Sequence, residues 1–340
     1  MVQSQEKGHV CGQPQAEGIL TALAESGWRD GDNLTIRYHY MDYYGANATA
    51  DLLHADGLRV LQEIEEFKPE LVFALDDGAI KEVMMPLVGR EDVALVFSGM
   101  NAEPGVYNAK KKFMDSWERP GANVTGVTEK LYTAESMRVM AEAIPGLSGG
   151  KVVLATDLTV TGEALAKQFA RELKDVKDIE WEIVRVKTFE DYRAYVTAAN
   201  ANPDVKAIYP LALTTEGPEG ERITMPQIYD WTIANSKKPE MAANYYFARL
   251  GLFGGAVVNF RAMGIRVGRK AAEILEGKKP GEIAIEESPD FAIVFNIKRA
   301  RDLGIEIPLD VLTAADAVYK DDLVPLEGRS LIYDPSIESF

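Results

Sequence analysis

Short continuous apolar runs recur along this chain. Between them lie longer stretches in which apolar residues fall three and four apart. Leu71-Val72-Phe73-Ala74-Leu75 and Val93-Ala94-Leu95-Val96-Phe97 are the clearest runs, and an unbroken apolar run of that length fits a strand buried on both faces of a parallel sheet. The helical spacing is plain in Gln15 to Ser26, with Ala16, Ile19, Leu20 and Leu23 on one side, and in Ala50 to Phe67, with Leu53, Leu58, Leu61 and Ile64 facing inward. Leu34 to Tyr40 alternates as a strand does, and Asp42 to Asn47 reads as a tyrosine-bearing loop.

The second half repeats the pattern. Predicted strands are Lys151–Ala155, Glu180–Val186, Ala207–Leu211, Met241–Tyr246, a crossing segment at Val257–Phe260, and Phe291–Phe295. Predicted helices are Ala134–Ala143, Gly162–Leu173, Asp191–Ala199, Met225–Ser236, Gly264–Leu275 and Lys298–Leu303. Regular alternation of strand and helix predicts an α/β protein with parallel sheets and right-handed crossovers. Between the halves lies Arg119-Pro120-Gly121-Ala122-Asn123-Val124-Thr125-Gly126-Val127, a turn followed by one extended segment. It reads as a crossing strand between two lobes, and clefts at domain interfaces are where ligands bind. The expected division is residues 1–124 with 260–285, residues 125–259 with 286–320, and a tail at 321–340 that wraps over a lobe.

Composition changes this picture only by exclusion. The 340 residues are 46% hydrophobic and 26% charged, the balance of a globular protein with room for two cores. The formal net charge of −16 argues against nucleic acid and against anionic membranes as partners. The single cysteine, Cys11, rules out an intrachain disulfide. As a nucleophile Cys11 has no basic partner visible in the sequence. Met1-Val2-Gln3-Ser4 carries no export signal, and Val2-Gln3-Ser4 reads as the tail of a strand, so an upstream segment is expected to be missing. Leu250 to Phe260 is the longest apolar stretch, too short to span a bilayer.

In open α/β sheets ligands bind beyond the carboxyl ends of the strands. That rule selects Ser4, Asp76, Asp77, Ser98, Asn101, Asp157, Thr214, Thr215, Glu216, Asn244, Tyr245 and Tyr246 as candidate binding residues. Asp76 is the better ligand contact of its pair, while Asp77 reads first as a helix cap. Ser98-Gly99-Met100-Asn101 suits a polar head group or an ordinary turn. Tyr38, Tyr40, Tyr43, Tyr44, Tyr245, Tyr246, Phe247 and Phe260 supply either a ligand wall or core packing. Tyr245 and Tyr246, read in a strand, point to opposite faces, so at most one reaches a ligand. His9, His39 and His54 share no metal-ligand spacing, and no nucleophile elbow, P-loop or dinucleotide fingerprint is present. No metal, no cofactor and no catalytic residue is therefore expected. Asn33, Asn47 and Asn123 open glycosylation sequons of the kind that arise by chance.

Several segments together resemble the substrate-binding proteins of ABC transporters, the family that includes bacterial tryptophan-type solute-binding proteins. They are Gly18-Ile19-Leu20 through Gly27-Trp28, Gly31 to Ile36, Arg119 to Val127, Ile144-Pro145-Gly146, Gly264 to Gly268, Ala271 to Gly277, and Asn296 through Ile307-Pro308. The resemblance spans roughly residues 10 to 318. It implies a type I-like periplasmic-binding-protein fold of two Rossmann-like lobes joined by three crossings. It also implies a monomer outside the cytoplasm, periplasmic or tethered to the membrane, that closes on a small molecule and hands it to a membrane permease. By position Ser4, Asp76, Asp77, Ser98, Asn101, Asp157, Thr214 and Asn244 match the loops that line the family's cleft. The chain departs from the family at Asp76-Asp77-Gly78, where members often carry a small Thr- or Ala-bearing loop, and at Asn101-Ala102-Glu103-Pro104. The resemblance therefore leaves the ligand open among amino-acid-like, aromatic and apolar molecules. A sensor ectodomain or a carrier of apolar lipids would use the same fold, and so would an enzyme such as a sugar or nucleotide hydrolase.

Overall fold

The computed structural model describes residues 1–43, 49–211 and 214–321. Tyr44, Asn47 and the tail beyond Asp321 lie outside the described residues. In chain order the strands are β1 Val2–Gln3, β2 His39–Tyr40, β3 Leu71–Leu75, β4 Ala94–Met100, β5 Val124–Thr128, β6 Lys151–Asp157, β7 Glu180–Val186, β8 Val205–Leu211, β9 Thr214–Glu216, β10 Arg222–Thr224, β11 Gly254–Val258, β12 Glu286–Glu287, β13 Phe291–Asn296 and β14 Ala317–Tyr319. The chain divides into two compact units. Unit 1 holds Met1–Lys130 and Phe260–Asp290; unit 2 holds Leu131–Asn259 and the segment that starts at Phe291. Among the described residues the chain thus passes between units three times, after Lys130, Asn259 and Asp290.

Unit 1 is one six-stranded sheet in the order β12-β5-β4-β3-β1-β2, with every pairing parallel. Its core gathers Val72, Ala74, Leu95, Phe97 and Val124 from the strands with Leu53, Val60 and Ile64 from the helix Ala50–Phe67. That helix starts where Thr49 accepts from Leu52 N (3.3 Å) and stops where Lys68 turns left-handed. Leu58, expected to face inward, is 54% exposed, because it lies about 140° round the helix from Leu53. The alternation at Leu34–Tyr40 yields strand only at His39–Tyr40. The segment Val124–Thr128 is no crossing strand: Val124, Thr125 and Val127 are buried between β4 and β12. The chain leaves the unit after Lys130, beyond the boundary expected at residue 124.

A close helix pair anchors one side of this sheet. The helices Gly12–Glu25 and Phe260–Leu275 meet through glycines. A Cβ on Gly264 would stand 2.1 Å from Gln15 O, and one on Gly18 would stand 2.2 Å from Arg261 O. No real Cβ tolerates such distances, so the glycines set how near the two backbones come. This contact fixes the height of Gln15.

Unit 2 has a parallel set β7-β6-β8 and a second set β11-β13-β14, joined by single bridges from Ile208 to Glu240 and from Met241 to Gly254. Strict strand–helix alternation fails here: β11 and β13 run antiparallel, and β9 and β10 form an antiparallel pair. Its interior is aromatic, with Phe169 against Tyr209, Tyr229 against Phe247 and Phe253 against Phe295. The expected strand Met241–Tyr246 is absent. Asn244 instead accepts from Phe247 N (3.0 Å) and caps a helix, Tyr245–Leu250. Tyr245 and Tyr246 therefore sit on adjacent helical positions, the first buried and the second half-buried. They do not occupy opposite faces of a strand. Among the described residues no helix is long and apolar enough to cross a membrane.

Candidate ligand-binding site

The strand order of unit 1 reverses between β1 and β3, the point at which doubly wound sheets receive ligands beyond their carboxyl ends. Gln3 ends β1, and the segments that follow these strands carry Ser4, Gln5 and Asp76-Asp77. Asp76 adopts a left-handed backbone (φ 66°), a conformation Asp and Asn accept more readily than other non-glycine residues. Its carboxyl group lies against Gly99: a Cβ there would stand 2.6 Å from Asp76 Oδ1 and 3.1 Å from Gln15 Nε2 and Oε1. Gly99 thus leaves room for Asp76 and Gln15 to meet. Gln3 Oε1 and Gln5 Oε1 likewise converge over Gly12.

The electrostatics of this face are unusual. Burial pushes Asp76 up to about 7; a hydrogen bond from Gln5 opposes the rise, Asp77 adds to it, and Gln15 opposes it. Burial also raises Asp77, against bonds from Tyr107 Oη (2.8 Å) and Asn101 N (3.1 Å). Asp77 therefore ties the loop after β4 and does not act as the helix cap the sequence also allowed. Glu129, just past β5, is pushed well up by burial and then by Asp76 and Asp77. His9 is pushed down to about 4 by burial and so is neutral at pH 7. Desolvation, then Asp76, Glu129 and Glu6, raise Cys11 far above an ordinary thiol, which suppresses the thiolate a nucleophile needs.

Several buried polar atoms of this face have no hydrogen-bond partner: Asp76 Oδ2, both amide atoms of Gln3, Gln5 Oε1, Gln15 Oε1 and Ser98 Oγ. Buried polar atoms are nearly always paired, and a cluster of exceptions calls for an explanation. Ser4 is different. Its hydroxyl donates to Leu75 O and accepts from Ala79 N, both at 2.8 Å, so both of its roles are engaged within the unit. Asn101 Nδ2 donates to Gly99 O (3.3 Å).

Unit 2 reverses its order between β6 and β8; Asp157 ends β6, and Thr214 lies beyond β8. Asp157 Oδ1 accepts from Thr159 N (2.9 Å) and from Thr159 Oγ1, while Oδ2 accepts from Thr214 N (3.2 Å). Thr159 in turn caps the helix Val160–Leu173 through Gly162 N (3.0 Å). Thr214 Oγ1 accepts from Arg222 Nε (3.0 Å). Thr156 Oγ1 and Thr215 Oγ1 are buried without a partner. The carboxylate of Asp157 thus orders its own loop. Of the tyrosines expected to form a wall, Tyr43 packs on the core of unit 1 and Tyr38 is exposed. Among the described residues no group of three or more His, Cys, Asp or Glu is arranged to hold a metal ion.

Sequence reasoning missed Gln3, Gln5, Gln15 and Glu129. The strand-end rule would have found Glu129 had β5 been read as a sheet strand. Gln15 carried no such signal, since it sits on a helix and only the glycine contact brings it to the face.

Doubly wound α/β units with polar strand ends at their switch points define a small-molecule-binding protein of the type I periplasmic-binding-protein fold. A family model for the ABC transporter substrate binding protein matches residues 9–319, and the chain belongs to that family. It is 20% identical over 284 residues, 82% of this chain and 73% of the other, to the tyrosine-binding protein of Clostridioides difficile (strain R20291). Two solved structures share the fold. An ABC domain from Streptococcus pneumonia in complex with L-Trp has TM-score 0.69 at 19% identity, covering 93% of this chain and 97% of that one. A ligand-free, open substrate binding protein with adhesive properties from Clostridium difficile has TM-score 0.66 at 17% identity, covering 94% and 97%.

Proposed function

We propose that this protein is an extracytoplasmic solute-binding protein that captures a small amino-acid ligand and passes it to a membrane permease. The observation that carries the reading is the set of buried, unpartnered carboxyl, amide and hydroxyl atoms at the switch point of unit 1. A ligand that supplies the missing partners removes the cost of leaving them unpaired. The family match supports the same reading, as do the relatives described with tyrosine and with L-Trp. A carrier of apolar lipids would need an apolar face at this point. Asp76, Ser98 and the glutamines supply first contacts under the proposal. Closure of one unit on the other belongs to it too.

Native mass spectrometry of the purified chain, followed by thermal unfolding with the free amino acids, tests the reading. An amino acid at a hundredfold excess over its Kd contributes about 2.7 kcal/mol, a rise of several degrees in Tm. Small-angle scattering with and without that amino acid reads the closure. No mass adduct and no shift with any amino acid would count against the reading.

A further inference from the structure

The strand-end face of unit 1 has a sign as well as a polarity. Two buried carboxyl groups, Asp76 and Glu129, and the half-buried Asp77 lie within electrostatic reach of one another. Asp77 is held by Asn101 N and Tyr107 Oη. Asp76 keeps one oxygen, Oδ2, with no partner although the residue is only 6% exposed. The buried Lys and Arg side chains among the described residues are engaged elsewhere: Lys270 bonds Ala284 O (2.8 Å) and pairs with Glu286, and Arg299 lies in unit 2. A buried carboxylate without a counter-ion is costly, and an added anion at this face would raise the cost further. A cation would relieve it.

The acceptors also match in number. A primary ammonium group offers three N–H donors. Asp76 Oδ2, Gln5 Oε1 and Gln15 Oε1 are three buried acceptors without partners, and both glutamines hydrogen-bond Asp76 itself. Building on the solute-binding reading above, we propose that unit 1 recognises a primary ammonium group seated on Asp76 Oδ2, Gln5 Oε1 and Gln15 Oε1. The ligand class is then primary amines, amino acids among them, and the carboxylate is dispensable.

The test compares matched ligands on the purified full chain by titration calorimetry at pH 8: L-tyrosine, tyramine and 3-(4-hydroxyphenyl)propionate, and L-tryptophan, tryptamine and indole-3-propionate. At least one of the two amino acids is expected to bind, with its amine within about tenfold of it. The acid that lacks the ammonium is expected to be weaker by about 10- to 150-fold, the span of a hydrogen bond to a charged group. Asp76→Asn, which keeps the shape and tolerates the left-handed backbone, is expected to lose amine affinity by the same factor while its thermal unfolding stays cooperative. An acid that binds as well as its amino acid, an amine that fails where its amino acid binds, or an unchanged Asp76→Asn overturns the ammonium assignment and leaves the solute-binding reading standing. If neither amino acid nor amine binds, the assignment falls, and a blank across all the free amino acids removes the solute-binding reading as well.

Discussion

Each unit buries an acid, and the two acids are treated in opposite ways. In unit 2, Glu240 is wholly enclosed and its carboxylate meets the guanidinium of Arg299 through Nε (3.0 Å) and through Nη2. Arg299 in turn donates to Ile233 O (3.0 Å) and Ser236 O (2.9 Å), so the pair is satisfied on both sides. Burial still raises Glu240, with Arg299 pulling it back. In unit 1, Asp76 has glutamine neighbours and further carboxyl groups, and no cation among the described residues shifts it. The contrast separates a structural acid from a poised one. The first has its counter-ion in the chain; under the ammonium assignment the second takes one from outside.

The largest effect is expected from breaking the satisfied pair. Arg299→Ala leaves Glu240 buried and uncompensated, a loss of about 3–5 kcal/mol measured by urea unfolding of the full chain. Adding Glu240→Leu should recover much of it. A single variant within 1 kcal/mol of wild type would show that the pair is not a structural one.

Asp76 is expected to act with the opposite sign. Its pKa in the folded chain, about 7, lies above the unfolded value of 3.8. Well below pH 3.8 the proton is bound in both states. As pH rises from about 4 to about 7 the unfolded chain releases it and the folded chain resists, so stability falls across that window. Asp76→Asn should remove this slope and make the ligand-free chain more stable at pH 8, by up to about 4 kcal/mol, with little difference at about pH 2.5. Unfolding followed at several pH values checks this; a less stable variant at pH 8 would mean that Asp76 supports the fold.

The smallest effect is expected at Asp157, the strand-end acid of unit 2. Asp157→Asn keeps one acceptor for Thr159 N or Thr214 N, so the loss should be about 1 kcal/mol. Amine affinity should stay within about threefold, as for a side chain engaged in its own loop. A loss as large as that of Asp76→Asn would make the two strand ends equivalent and erase the contrast.

Much of this comparison was legible before any coordinates. The strands β3 and β7 and the helix Ala50–Phe67 end where the pattern of residues places their ends, because their signals are local: strand patterning and a helical stripe. Asp76, Asp77 and Asp157 were legible as strand-end acids for the same reason. Tyr245 and Tyr246 were not, since an apolar run reads as strand or helix alike, and the Asn244 cap decided for helix. Leu58 was assigned inward by character where helical phase turned it out.

By itself, then, the order of residues determined an α/β chain of repeated strand–helix units and the positions at which acids follow strands, because hydrophobic period and turn chemistry act over a few neighbours. Only the tertiary structure decided which acid is paired. Arg299 reaches Glu240 across 59 positions of sequence, and Gln15 reaches Asp76 because a glycine contact between two helices sets its height. Charge compensation depends on distance in space, and no local pattern encodes it.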